Sequence, residues 1–207
     1  MVDALLGLER PNREFAYHWI NTSLYRDRYF LTYYKTYNNW QAWEPGYWDQ
    51  EKQPFSYSGD QVLIPGNGSW NLSFIIPVRI YNETFYTLVA ETTGAGPNTV
   101  VTEKLWKPLL CRRPFVVLAN QYYLKNLRSL GFQTFHGIID ETYDTISDDH
   151  DRWHAAMQQC DWLCAQNPHR IIDACETILL HNHDLAMQDH NLFLEQKILS
   201  RAHGTCQ

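Results

Sequence analysis

The stretch Val101-Thr102-Glu103-Lys104-Leu105-Trp106-Lys107-Pro108, followed by Pro114-Phe115-Val116-Val117-Leu118-Ala119 and then by Tyr122 to Leu130, decides the fold. Thr102 suits an N-cap because its hydroxyl accepts a first-turn backbone N–H, so a helix is expected to start at Glu103. Pro108 comes a turn and a half later, where its ring meets the carbonyl four residues back and one hydrogen bond is lost. A kink or a loosened turn is expected there. An apolar run of strand length follows, then a segment of helical spacing, then Gly131 where a left-handed C-terminal cap belongs. This is a βα-type unit. Between Lys104 and Arg128 stand Lys104, Lys107, Arg112, Arg113, Lys125 and Arg128 with no Asp or Glu, in a chain of net charge -6. Positive charge is thus expected to gather where a helix start presents backbone N–H groups, which suits a phosphate-bearing ligand. The competing reading is a solvated basic face beside a buried strand.

Upstream, Val2 to Leu8 reads as a short strand that ends in the turn Glu9-Arg10-Pro11-Asn12-Arg13. Pro11 suits a first helical position, and Phe15, Trp19, Ile20 and Leu24 then recur at helical spacing. Arg10 and Arg13 stand at that helix start, where cations oppose the macrodipole; they serve either a ligand or a salt bridge. Arg28 to Thr36 is rich in β-formers and reads as a second strand. Ile75 to Tyr81 is a helix or a strand. Phe85 to Ala90 is a buried strand that ends at Glu91, before the loop Gly94-Ala95-Gly96-Pro97-Asn98. That loop has a shape suited to a pyrophosphate but lacks both the dinucleotide fingerprint and the Walker spacing. The alternation predicts an α/β fold, a Rossmann-like parallel sheet flanked by helices.

Residues 37–74 break this pattern. Pro, Gly, Asn and Ser are interleaved there with Trp40, Trp43, Tyr47, Trp48, Phe55 and Tyr57, in a chain with eight Trp and thirteen Tyr. A structureless loop of this length is improbable in a compact domain, so an aromatic-rich insertion is expected. It serves as a platform for an acceptor sugar, as ordinary packing, or as a contact with a second copy or a partner chain. From residue 140 onward the spacing turns helical. One face carries Trp153, Met157, Cys160 and Cys164, the next carries Ile171, Cys175 and Leu179, and a third carries Leu185, Leu192 and Ile198. The expected organisation is one Rossmann-like domain over 1–207, with the insertion 37–74 and a helical C-terminal region 140–207.

Several function classes recede. A pI near 5.8 with no extended basic stripe argues against nucleic-acid binding. No apolar run reaches membrane-spanning length and no secretion signal stands at the start, so a soluble, cytoplasmic protein is expected. The five cysteines lack zinc-type spacing and read as free thiols. Asp148-Asp149-His150-Asp151 has the look of a metal cluster, but acidic residues at a helix start are commonly caps, and no metal site is assigned. His181 and His183 near a helix end read as structural. No Ser-His-Asp or Cys-His set emerges.

The arrangement Phe85-Tyr86-Thr87-Leu88-Val89-Ala90-Glu91, a variable loop, then Val101 to Trp106 and an apolar strand resembles the C-terminal, donor-binding half of the α1,3-fucosyltransferases. It is closer to glycosyltransferase-like proteins of phages and large viruses, which share Thr102-Glu103-Lys104, Lys107-Pro108, Pro114-Phe115, Leu127 with Leu130-Gly131-Phe132, Thr134-Phe135 and Asp140-Glu141. The resemblance spans about Ala4 to Met187. It implies a single GT-B-like half that transfers a sugar, without a metal, from a nucleotide-diphosphate sugar to a carbohydrate or other hydroxyl acceptor. It further implies that Glu103 takes the ribose hydroxyls or the sugar, Lys104 neutralises the diphosphate, and Arg13 adds a second cation. Thr102, Lys107, Glu91 and Arg10 complete the candidate nucleotide-sugar-binding set. Enzymes of that arrangement hold the acceptor on an N-terminal domain, whereas this sequence begins near the first strand of the donor half. No catalytic base is assigned; Glu91, Glu44 and Asp49 are the candidates. The rival class is a non-catalytic, degenerate module that acts through its aromatic surface in assembly or binding.

Overall fold

A computed structural model describes residues 1–34, 76–97 and 99–188. The aromatic-rich insertion 37–74 and residues 189–207 therefore lie outside the described residues.

Four strands, β1 (Val2–Leu8), β2 (Tyr29–Tyr34), β3 (Tyr86–Ala90) and β4 (Phe115–Leu118), form one parallel sheet in the order β2-β1-β3-β4. All five residues of β3 and all four of β4 are buried, as expected of parallel strands covered on both faces, which read as continuous apolar runs. Thr87 pairs with Phe115 and Ala90 with Leu118, so β3 and β4 finish level with each other. This is the Rossmann-like α/β sheet that the alternation of patterns predicts.

The crossovers leave β1 and β3 in opposite directions. Helix α1 (Pro11–Thr22) leads towards β2, and α3 (Glu103–Leu110) leads from β3 to β4. Right-handed crossovers in opposite directions put their helices on opposite faces, and the carboxyl ends of β1 and β3 then flank a crevice. Helix α2 (Val78–Glu83) precedes β3, and α4 (Tyr123–Ser129) follows β4. The chain ends its described part in α5 (Asp149–Ala165), which packs on α1 and β4, and α6 (Pro168–Ala186), which packs on α3. Leu6, Ile20, Leu88, Val116, Leu124 and Met157 belong to the single core between these layers.

Several boundaries differ from the sequence reading, each for a local reason. Leu24 lies past the end of α1 and is 99% exposed, because Ser23 ends the helix in an extended conformation. Arg28 belongs to a 3-10 turn before β2. Of the two readings left open for Ile75 to Tyr81, the helix is the one found, over 78–83. Helix α3 runs through Pro108 to Leu110, and Cys111 closes it with an N–H donated to the Lys107 carbonyl at 3.0 Å. Leu185 lies within α6 and does not open a third helix.

The basic stretch is also dispersed. Arg113 turns back beneath the amino end of the sheet, 2.8 Å from Asp3 Oδ2. It also donates to Thr87 Oγ1 and to the carbonyls of Tyr81 and Thr84. Arg128 pairs with Glu141 and Asp144, the latter accepting the backbone N–H groups of Leu124 and Lys125 at the start of α4. Lys125 stands over the Tyr122 ring. Only Lys104 and Lys107 remain on α3. Spacing along the chain cannot show this, because carboxylates from distant segments claim the arginines.

Asp3 is fully buried and Arg113 nearly so. Arg113→Leu alone is expected to cost about 3–5 kcal/mol, since it strands a buried carboxylate, whereas Asp3→Leu with Arg113→Leu costs clearly less. Urea denaturation midpoints of the single and double variants check this.

Candidate functional site

The carboxyl ends of β1, β3 and β4 carry most of the residues singled out by the sequence. Gly7, near the end of β1, has φ +64, a backbone conformation that glycine adopts without strain; a Cβ there would stand 3.6 Å from an Arg13 nitrogen. Arg13 itself is 4% exposed and donates from Nε to the Ala90 carbonyl at 3.3 Å. Burial lowers its pKa to about 10, neighbouring Arg10 acts the same way, and Glu91 and Glu103 oppose both. Arg13 therefore remains a cation at neutral pH, within electrostatic reach of Glu103. Two turns far apart in sequence meet here.

Asn12 makes that meeting possible. Its amide donates to the carbonyls of Glu91 and Leu118, both at 3.0 Å, and so ties the start of α1 to the ends of β3 and β4. Gly94 packs directly on it: a Cβ at Gly94 would lie 2.5 Å from Asn12 Cγ. The Gly94 carbonyl accepts from Arg152 and from the Trp153 indole at 3.4 and 3.2 Å. This glycine is required by close packing between the loop, α1 and α5.

The far end of the same loop is held by Glu91. Its Oε1 accepts the Thr102 N–H at 3.1 Å and the Tyr123 hydroxyl at 2.7 Å, while Oε2 accepts the Thr102 hydroxyl at 2.6 Å. Thr102, its proton so directed, offers a lone pair to the Lys104 N–H at 3.3 Å and caps α3 as the sequence predicts. Glu91 is 0% exposed. The sequence reading of Glu91 as a ligand group and candidate base is corrected accordingly: its carboxylate is a positioning group sealed inside the fold. Glu44 and Asp49 lie outside the described residues.

At the α3 start, Lys104 Nζ lies 2.6 Å from Glu103 Oε1, 3.4 Å from Thr92 Oγ1 and 3.5 Å from Thr102 Oγ1. Burial raises the Glu103 pKa, but the hydrogen bond and charge of Lys104, with Lys107 behind it, leave it below the ordinary glutamate value. Burial lowers the Lys107 pKa, against the pull of Glu103. Arg10 precedes α1 and donates to its neighbour's carbonyl, Glu9 O, at 2.8 Å without capping the helix. The structure thus brings the start of α1 and the start of α3 to the end of β3. Asn12 sits on the Glu91 carbonyl, Arg13 on the Ala90 carbonyl and Thr102 on the Glu91 carboxylate. The Glu103–Lys104 pair is close enough for Glu103 to be felt by Arg13, and Lys107 lies one turn along.

Asn12, Arg152 and Tyr123 escaped the sequence reading. Asn12 lies in a turn dominated by Arg10 and Arg13, and Arg152 lies behind an acidic run, so neither stands out by type or spacing. That run is a cap: Asp148 accepts the Asp151 N–H at 2.9 Å, and Asp149 pairs with Arg152. Arg152, 3% exposed, also donates to the Ala119 carbonyl at 3.0 Å. His181 and His183 reach the Gly131 and Leu110 carbonyls, both at 2.8 Å, and are structural as expected. Among the described residues no group of three or more His, Cys, Asp or Glu could hold a metal ion, and no helix is long and apolar enough to cross a membrane. Two shallow concavities, one by Arg112 and Glu176 and one by Tyr81 and Cys111, lie away from this site. No family model matches the chain, and neither a curated protein nor a solved structure matches it.

Gly94→Ala is expected to destabilise the protein by about 1–3 kcal/mol through overpacking against Asn12. In a thermal-denaturation double-mutant cycle, the same change costs less in an Asn12→Gly background, which removes both the Cγ and the Cβ that it would meet. A second expectation concerns pH. The folded-state pKa of Glu103 is depressed, so the stabilisation from its ion pair is in place above the ordinary glutamate pKa and is lost as pH falls through the lower folded value. The carboxyl 13C resonance of Glu103 reports that titration, and Lys104→Met moves it upward.

Proposed function

We propose that this chain is a nucleotide-sugar-dependent glycosyltransferase whose donor diphosphate lies at the carboxyl edge of the sheet, between the starts of α1 and α3. The observation that carries the reading is the convergence of the α1 and α3 starts on Glu91 beside the β1/β3 crevice, with the Glu103–Lys104 pair at the α3 start and Arg13 within its field. Open α/β sheets bind their ligands in such a crevice. The resemblance of Thr102-Glu103-Lys104 and its flanking strands to donor-binding halves supplies the reaction class.

The chemistry is coherent without a metal. When the sugar–phosphate bond breaks, the electron pair leaves with the nucleoside diphosphate. Fixed cations held by a rigid scaffold stabilise that charge, with little reorganisation at the moment of transfer. In this reading Lys104 takes the leaving diphosphate, Arg13, buried against the Ala90 carbonyl, adds positive potential from behind it, and Glu103 accepts from hydroxyls of the ribose or sugar. The rival, a donor-binding half without turnover, draws support from Glu91, a base candidate that is sealed in the interior.

Calorimetry and thermal shift with a panel of nucleoside diphosphates and nucleotide sugars separate these. One nucleoside diphosphate is expected to bind, and Lys104→Ala to weaken it about tenfold or more, the scale of one charge-assisted contact. Release of free sugar from the matching donor supports transfer, whereas binding without turnover on any acceptor supports the rival. Absence of binding across the panel removes the proposal.

A further inference from the structure

We propose that the concavity between the α3–β4 turn and α6 is a binding site for a free α-amino acid with an aliphatic side chain. It lies at the opposite end of α3 from Lys104, and the inference does not depend on the transferase reading.

The turn carries a backbone outlier. The Arg113 N–H donates to the Pro108 carbonyl at 2.9 Å and the Arg112 N–H to the Leu109 carbonyl at 3.3 Å, the pair of bonds that closes a helix with a left-handed residue just past its cap. Arg112 is that residue, with φ +52. Glycine takes such a position freely, whereas any other side chain bears a steric cost there. Among the described residues no ion pair of the Arg112 guanidinium offsets that cost. The conformation instead holds the exposed Arg112 side chain at the wall of a concavity of about 190 Å³ beside α6.

Helix α6 supplies the rest of the lining. Asp173 and Glu176 are three residues apart and so are neighbours on its surface, and Ile172 and Leu180 stand four residues to either side of Glu176. Leu179, 5% exposed, joins them, and Leu180 is 40% exposed. One cation, two carboxylates and three aliphatic side chains thus share a small cleft.

That lining decides the class of ligand. Clefts that enclose drug-sized ligands measure roughly 300–1,000 Å³, so this one takes a molecule smaller than a nucleotide. A simple anion would meet two like charges, and a simple cation would meet the guanidinium. A molecule that carries both charges suits both walls. Its carboxylate takes the guanidinium fork, its ammonium takes Asp173 and Glu176, and a branched aliphatic side chain covers Ile172, Leu179 and Leu180. The end residue of a peptide brings only one of the two charges. Free leucine, isoleucine and valine bring all three features.

The test titrates the isotope-labelled protein at one ionic strength and neutral pH with leucine and with three probes that each lack one feature: isocaproate, isoamylamine and glycine. Leucine is expected to shift the backbone amide resonances of Arg112 and of α6 around Glu176. It is also expected to bind about tenfold or more tightly than each probe, the scale of one charge-assisted or apolar contact. Arg112→Gly removes the cation and the steric cost together. Its melting temperature is expected to match that of wild type, because relief of strain offsets the added freedom of the unfolded chain, while leucine affinity falls about tenfold or more. Arg112→Asn, which also tolerates a left-handed backbone, provides the same comparison. Glu176→Gln weakens leucine and leaves isocaproate no weaker. Equal binding of leucine and isocaproate, or leucine affinity retained in both Arg112 variants, overturns the proposal. So does the absence of shifts at Arg112 and α6 in millimolar leucine.

Discussion

The fully buried carboxylate of Glu91, at the end of β3, is the interaction on which the arrangement of charges depends. An ionised carboxylate far from water is tolerated only when its oxygens are supplied with donors, and here three arrive: the Thr102 N–H, the Thr102 hydroxyl and the Tyr123 hydroxyl. Those donors belong to the cap of α3 and the first residue of α4. Satisfying one buried charge therefore fixes where two helices begin, and with them the direction in which Glu103 and Lys104 project.

Asn12 completes the constraint from the other side of the sheet. By donating to the Glu91 and Leu118 carbonyls it anchors α1 to the same strand ends, and it leaves Arg13 beside the Ala90 carbonyl. Gly94 fits only because no side chain competes with Asn12 for that space. Arg152 then clamps the outer layer, joining Ala119, Gly94 and Ile146 through their carbonyls. Strand ends leave backbone acceptors without ladder partners, and at this edge long polar side chains from α1 and α5 meet that need. Under the proposed transferase reading that rigidity would serve the chemistry, because charges that stabilise a leaving group are effective when they are already in place.

At the opposite edge a second buried arginine does comparable work for stability alone. Arg113 closes the amino end of the sheet with Asp3, Thr84 and Thr87, under the Tyr81 ring that it faces at 4.1 Å. Its neighbour in sequence, Arg112, has φ +52 and faces α6 instead. Adjacent arginines that read as one basic cluster thus point to different structural tasks. What separates Arg113 and Arg128 from Lys104 is which carboxylate stands near: Asp3 for Arg113 and Glu141 for Arg128, both from outside the basic stretch, and the adjacent Glu103 for Lys104.

The local rules were legible from residue types alone. Thr102 as a cap, Pro11 at a first helical position, Gly131 after α4 and the apolar runs of β3 and β4 are matters of steric preference and of short-range hydrogen bonding, which neighbours in sequence suffice to decide. The alternation of those elements then determined a parallel α/β sheet, since right-handed crossovers admit few other arrangements. What a side chain touches across the sheet was decided by tertiary structure. Glu91 became an interior support, Asn12 a bridge between strand ends, and Arg13 a neighbour of Glu103 ninety residues away in the chain. Long-range electrostatics and packing depend on which surfaces the fold brings within a few ångströms, and no spacing along the sequence carries that distance.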